Sequence, residues 1–204
     1  MFYLNKTPSL LKRLFPSFIW EKQNHKSNVF LTFDDGPTVE YTQQILDLLK
    51  THGVLATFFC VGANVKKHSN IYQAVLDDGH SVGNHTMHHL NGWKTSSKTY
   101  VANINEASSF VKSTLFRPPY GKINFWAIRK INAKYKIIMW DIVGGDFDSK
   151  CSVENIINNV LNNVKEGTII VLHDNKNFSE KTLAALPKII EGIKEKGLTF
   201  AALK

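Results

Sequence analysis

Apolar residues along this chain fall into short blocks, separated by longer stretches of helical spacing. Strand-like runs cover residues 29–33, 54–61, 80–84, 115–118, 137–142, 168–172 and 199–202. Several are apolar almost throughout, as strands buried on both faces are. Between them, residues 41–50 carry Ile45, Leu46, Leu48 and Leu49 on one side, and 65–77 repeats the pattern. Helical spacing recurs over 98–112, 153–164 and 182–196, the last stopped by Gly197. Seven strands alternating with helices predict an α/β domain with a parallel sheet or barrel. No Gly-x-Gly-x-x-Gly follows the first strand and no Walker sequence occurs, so a barrel is favoured over an open nucleotide-binding sheet.

The ends of these runs carry the polar residues. Asp34 and Asp35 leave the first run and precede Gly36-Pro37, which no regular strand continues. Two like charges side by side raise each other's pKa, and a cation or a need for a base accommodates them. Asp-Gly-Pro is also good turn chemistry, so the pair alone does not decide. His85 ends the third run and Arg117 the fourth; Trp140, Asp141 and then Asp146 follow the fifth; His173 and Asp174 end the sixth. In a parallel barrel these ends share one face, where active sites are built.

His85 and His89 are four apart, and a helical turn would bring both rings to one cation. With Asp35 they make a two-histidine, one-carboxylate set that leaves a position open for water, as catalytic zinc sites require. His88 is the rival second ligand. His173 suits a proton donor to an amine leaving group, with Asp146 to orient it. Arg117 beside a carboxylate would hold that acid ionised. His25, His52, His68 and His80 read as surface residues in loops or at helix ends.

Composition narrows the partners. The chain has 204 residues, 43% of them hydrophobic, enough for one domain with a substantial core. Its net charge of +8 suits an anionic partner, but the sequence has no Arg-rich run or RNA-binding aromatic signature, so nucleic acid is not expected. Half of that charge lies in the first 28 residues, through Lys6, Lys12, Arg13, Lys22 and Lys26 against Glu21. Residues 1–27 read as a basic, apolar arm packing across the bottom of a domain that spans 28–204; peripheral contact with an anionic membrane is the rival use. Cys60 and Cys151 read as unpaired thiols. No secretory apolar core or membrane span is evident, so the chain as given reads as cytoplasmic.

From about Asn28 to the C-terminus the chain resembles the polysaccharide deacetylases of carbohydrate esterase family 4, the NodB-homology domain. Thr32-Phe33-Asp34-Asp35-Gly36 resembles the first family motif, and His85-Thr86-Met87-His88-His89 the second. Arg117-Pro118-Pro119-Tyr120-Gly121 is similar to the third, Asp146 falls at the fourth, and Leu172-His173 resembles the fifth. The resemblance implies a distorted (β/α) barrel of about seven parallel strands. It implies Asp34 as general base, Arg117 as its tether, and Asp35, His85 and His89 as ligands of Zn2+ or another divalent ion such as Co2+ or Ni2+. His173 becomes the general acid and Asp146 its tether, with His88 a bystander. The Tyr120 amide helps bind the oxyanion, and Leu172 forms part of the acetyl pocket. Trp140 and Phe147 are read as further substrate contacts, Phe147 standing where the family usually has Trp. The expected activity is removal of N-acetyl groups from an acetylated amino-sugar polymer such as peptidoglycan or a chitin-like chain, by a monomer. O-acetyl (xylan-type) esterase, a deacetylase or deformylase of a lipid-linked sugar, and a non-catalytic carbohydrate-binding module are the alternatives.

Overall fold

A computed structural model describes residues 4–22 and 27–204. Its strands are β1 (Asn28–Asp34), β2 (Thr57–Cys60), β3 (Ser81–Asn84), β4 (Leu115–Phe116), β5 (Lys136–Ile137), β6 (Ile142–Val143), β7 (Ile169–His173) and β8 (Thr199–Phe200). They run β5-β4-β3-β2-β1-β7-β6 across the sheet, every ladder parallel, with β8 beside β1. Around them lie α1 (Ser9–Leu14), α2 (Tyr41–Thr51), α3 (Gly62–Lys67), α4 (Ser69–Asp77), α5 (Ser97–Ala107), α6 (Phe125–Ile131), α7 (Val153–Leu161) and α8 (Ser179–Glu195).

The run at 137–142 is not one strand. Its start, β5, pairs with β4, while its end, β6, pairs with β7 at the opposite edge of the sheet. Residues 136–143 therefore join the two edges, and the sheet closes on itself as a distorted barrel. The Ile138 amide donates to Phe116 at 2.8 Å and the Asp141 amide to Ile169 at 3.0 Å, so one short stretch serves both edges. The N-terminal arm pairs with what that stretch leaves open. Ile19 exchanges two 2.8 Å bonds with Ile137 and Met139, the Thr7 amide donates to Asp141 at 2.8 Å, and the Val143 amide donates to Asn5 at 2.9 Å. Phe18 and Trp20 are buried with Tyr100, Ile104 and Phe116, whereas Leu10 and Leu14 of α1 are exposed.

Two more boundaries differ from the expectation. The stretch 65–77 breaks at His68 (φ −127°, ψ 51°) into α3 and α4. The short helix α6 was not foreseen; it buries only Ala127 and Ile131, and the Asn124 side chain caps it at the Ala127 amide. No helix among the described residues is long and apolar enough to cross a membrane.

Burial follows the two-residue period of strands. Val29, Leu31 and Phe33 of β1 join Ile170 and Leu172 of β7 under the covering helices, against Ile45, Ile156 and Ile189. Phe30 instead meets Phe59, Leu115, Ile138, Ile169 and Leu203 in the barrel interior. Thr32 and Asp34 share the parity of Phe30, so β1 delivers a hydroxyl and a carboxylate into the barrel above an apolar floor. His80, expected at the surface, is buried against Phe58, at 5.4 Å between ring centroids. Its Nδ1 accepts the Ala56 amide at 3.1 Å, and burial lowers its pKa, so the ring stays neutral. His52 and His68 are half-buried, and His25 lies outside the described residues. Cys60 and Cys151 are free and buried.

Candidate active site

Arg117 organises the floor of the site. Its side chain is fully buried, its Cζ lies 4.0 Å over the Phe59 ring, and its donors are matched to fixed acceptors. Nη1 donates to Asp34 Oδ1 and to Thr32 Oγ1 at 2.7 Å each; Nη2 reaches the Met139 carbonyl at 2.9 Å and Nε the Ile138 carbonyl at 3.3 Å. A buried ion pair is stable when such bonds satisfy both partners, and breaking it by removing one is costly. Asp34 is thereby held in a fixed orientation at the end of β1.

Asp35 turns the other way. It is left-handed, at φ 85°, with its carbonyl accepting from Asn64 Nδ2 at 2.8 Å. That twist sends adjacent carboxylates to different partners. Asp35 Oδ1 lies 2.9 Å from His89 Nε2 and 3.4 Å from His85 Nε2, and Asn175 Nδ2 donates to Oδ2 at 2.6 Å. Desolvation opposes its charge, but the bonds from His85 and His89 outweigh it and hold Asp35 well below the usual carboxylate range. The ligand atoms of the three residues lie within 4.8 Å of one another.

The two histidines meet without the expected helical turn. Residues 85–89 form a loop in which Thr86 (φ 65°) and His89 (φ 52°) are left-handed. The Asn84 side chain accepts the Thr86 amide at 2.8 Å, and the Asn103 side chain accepts the amides of Met87 and His88 at 3.0 and 3.1 Å, which fixes the loop. His85 Nδ1 donates to the Arg117 carbonyl at 2.7 Å, which fixes the ring with Nε2 towards Asp35. His88 faces outward to Asn103 at 2.8 Å and takes no part. Two imidazoles, one carboxylate and fixed outer partners suit a divalent cation of the zinc type. Among the described left-handed non-glycine residues, Asp35, Thr86, His89 and Tyr120 all belong to this site, with Ser27 the exception. Backbone strain of that kind gathers where function over-determines geometry.

His173 stands at the end of β7, in register with Asp34. Asp146 accepts from its Nδ1 at 3.0 Å and from its amide at 2.7 Å, and Thr182 Oγ1 donates to the same carboxylate at 2.7 Å. Burial works against a charged ring, but Asp146 overcomes it, helped by Asp35 and Asp34, and pushes the His173 pKa up to about 10. Phe147 and Phe178 each meet this ring edge to face, at 5.6 and 5.7 Å.

The remaining expectations divide. Tyr120 is left-handed (φ 60°) in a 3-10 turn over Pro119–Gly121, and its ring rests 4.6 Å from His89. Trp140 is half-buried and reaches Gly121, where a Cβ would lie 2.8 Å from the indole; Gly121 also needs its φ of 66°. Leu172 does not face the site: strand parity turns it to the helix side, packed on Gly144 and Ile156, and Val171 instead shares the face of His173. Asp141 also lies elsewhere. It is buried beside the first residue of β7, paired with Lys12 of the arm at 2.6 Å, because residue 141 enters β6 rather than ending a strand.

Asn175, Asn64 and Phe178 were not foreseen as site residues, and Asp174 was placed only at the end of the sixth run, with no role. Asp174 is buried; it accepts the Gly36 amide at 2.8 Å and Thr42 Oγ1 at 2.7 Å, pinning the turn between the carboxylates. A Cβ on Gly36 would sit 1.9 Å from this carboxylate, so only glycine allows the contact. Burial, reinforced by Asp35 and Asp34, lifts the Asp174 pKa to about 7. Its sequence signal was position alone, next to His173.

The Arg117–Asp34 pair, the cluster of Asp35, His85 and His89, and the Asp146-backed His173 around one barrel mouth are the kinds of parts a metal-assisted hydrolase uses. The chain belongs to the polysaccharide deacetylase family: the sequence profile described as Polysaccharide deacetylase matches residues 21–137. It is 37% identical over 191 residues to a peptidoglycan-N-acetylglucosamine deacetylase of Bacillus cereus, covering 90% of each chain. It is 29% identical over 201 residues to a chitooligosaccharide deacetylase of Azorhizobium caulinodans, covering 88% of this chain and 94% of that one. In structure it superposes with a TM-score of 0.85 and 32% identity on a peptidoglycan N-acetylglucosamine deacetylase in complex with 4-naphthalen-1-yl-N-oxidanyl-benzamide, covering 97% of this chain and 95% of that one. The protein is a hydrolytic deacetylase with the barrel of that family.

Proposed function

We propose that this chain removes the N-acetyl group from N-acetylglucosamine units of a cell-wall glycan of the peptidoglycan type, with Zn2+ as its cofactor. One observation carries the reading: adjacent aspartates are split between Arg117 and a His85–His89 pair, with His173 in register across the barrel. Asp35, His85 and His89 would hold the cation, whose contribution when bound is Lewis-acid polarisation of the acetyl carbonyl and acidification of water.

This chain's residues supply the rest. Asp34, positioned by Arg117 at 2.7 Å, takes a proton from the attacking water as its oxygen bonds to the acetyl carbon. The backbone N–H of Tyr120 donates to the developing oxyanion. The C–N bond breaks as protonated His173 gives its proton to the amine, and acetate leaves. An amide needs that proton far more than an ester does, so the Asp146-backed acid favours N- over O-deacetylation. Substitution Asp34→Asn should retain metal binding and lose acetate release from peptidoglycan; full turnover by that variant would remove Asp34 as the base. A wall glycan as substrate also requires the chain to act outside the cytoplasm, against the reading of its N-terminal composition.

A further inference from the structure

The first turn of α8 grips the acid side of the site. Ser179 Oγ donates to the His173 carbonyl at 3.2 Å and to the Asn175 carbonyl at 2.7 Å, and Thr182 Oγ1 donates to Asp146. Between these two hydroxyls stands Lys181. Its Nζ donates to the carbonyls of Asp148, Ser149 and Cys151 at 2.9, 3.1 and 2.7 Å. An ammonium has three N–H donors, and here main-chain oxygens of one loop take them all. Lys112 and Lys194, by contrast, each reach a single carbonyl. Lys181 forms no ion pair among the described residues, so its charge is spent on that loop.

The loop joins β6 to α7 and carries Asp146 and Phe147. Its own backbone bonds are the Asp148 amide to the Gly145 carbonyl at 3.1 Å and the Cys151 amide to the Asp148 carbonyl at 3.0 Å. Carbonyls that converge on one point turn the negative ends of their dipoles together, an arrangement that a cation stabilises. Asp146 lies two residues before the first of them and meets His173 Nδ1 at 3.0 Å. Phe147, one residue before, meets the same ring at 5.6 Å. A shift of the loop is therefore felt at the histidine.

We propose that Lys181 is a positioning residue for His173: its ammonium closes the β6–α7 loop and so fixes Asp146 and Phe147 against the ring. The proposal rests on the deacetylase reading, in which His173 gives its proton to the departing amine. The cluster of Asp35, His85 and His89 stands on other elements, at the end of β1 and in the loop after β3. Loss of the ammonium therefore falls on proton delivery and spares the metal set. Misplacing a catalytic group by about 1 Å can cost about 100-fold in rate, so a lysine outside the reacting atoms can govern turnover.

Substitution Lys181→Ala removes the ammonium and leaves its space beside the three carbonyls. In the zinc-loaded protein, kcat for acetate release from a six-sugar N-acetylglucosamine oligomer should fall roughly 10- to 100-fold, with KM changed less than about twofold. Hydrolysis of para-nitrophenyl acetate, whose leaving group needs no proton, should change less than about twofold. Added n-propylammonium, which matches the missing atoms, should recover most of the lost amide turnover, and n-propanol should recover none. An unchanged kcat, equal losses on amide and ester, a loss confined to KM, or equal recovery by amine and alcohol overturns the proposal. Should the alanine variant fail a circular dichroism check of folding, Lys181→Met keeps the stem, loses the donors and gives the same amide-to-ester comparison. Failure of the deacetylase reading looks different: wild type releases no acetate from any glycan. The His173 ring resonances in NMR then still decide the role of Lys181, since Lys181→Met should shift them and unshifted resonances overturn it.

Discussion

Substitution Asp146→Asn should move the alkaline limit of amide hydrolysis, and the structure sets the size of the effect. His173 must be protonated to act as the acid, and its pKa of about 10 rests first on overcoming burial through Asp146. At about pH 8 a group with that pKa is roughly 99% protonated; relaxed to the ordinary 6.5, it is roughly 3% protonated, a loss of about 30-fold in the active form. At about pH 6 the same comparison gives less than a twofold loss. The sign is fixed: the raised pKa keeps the acid charged as pH rises, so removing its cause cuts the alkaline side and spares the acidic side. Asparagine also presents an NH2 where Nδ1–H and the His173 amide now donate, so the ring tautomer is disturbed as well. The assay is acetate release from a six-sugar N-acetylglucosamine oligomer between about pH 5 and pH 10, with folding checked by circular dichroism. A folded variant whose alkaline limb coincides with wild type refutes the role given to Asp146.

Two further predictions probe the surroundings of the site. Asn175→Ala removes the bond to Asp35 Oδ2 and should weaken zinc affinity about 10- to 100-fold, measured by chelator competition; an unchanged affinity means Asn175 does not position the ligand. Lys12→Met strands the fully buried Asp141, whose Oδ2 already lacks a partner, and should cost about 3–5 kcal/mol, read from the urea midpoint at constant m. Adding Asp141→Asn should recover a large part of that loss, and no recovery would show that the arm is held by other contacts.

The residues that meet at the barrel mouth were legible in the sequence because they sit at strand ends, where an apolar run stops and a charged or imidazole group follows. Asp34, Asp35, His85, Arg117 and His173 all announce themselves that way. What failed was geometry that depends on backbone twist or on strand parity. The spacing of His85 and His89 suggested a helical turn, yet left-handed Thr86 and His89 bring the rings together in a loop. Leu172 is apolar and adjacent to His173, and adjacency along a strand means opposite faces. The run 137–142 looked like one strand because its composition is uniform; only the pairing partners divide it into β5 and β6. Asn175 and Asn64 carried no pattern at all, since amide positioning groups in loops follow no period.

The barrel's irregular closure and its catalytic floor are parts of one arrangement. A regular strand at residues 136–143 would commit its carbonyls to neighbouring strands. Because the stretch instead changes partners, the Ile138 and Met139 carbonyls turn to Arg117. The same arginine holds Asp34 with its side chain and orients His85 with its own carbonyl. One buried residue thereby positions Asp34 and His85 together, with its own place fixed by the seam. The arm that pairs with the seam at Ile19 lies on the far side of this chain of contacts, and it bonds to Ile137 and Met139 on either side of the Ile138 carbonyl that Arg117 uses. A planar five-donor fork suits this place because its acceptors lie in different directions on fixed backbone, which a lysine ammonium on a flexible stem cannot reproduce. The departure from regular strand geometry at 138–141 is thus the feature that makes room for the charge the site needs.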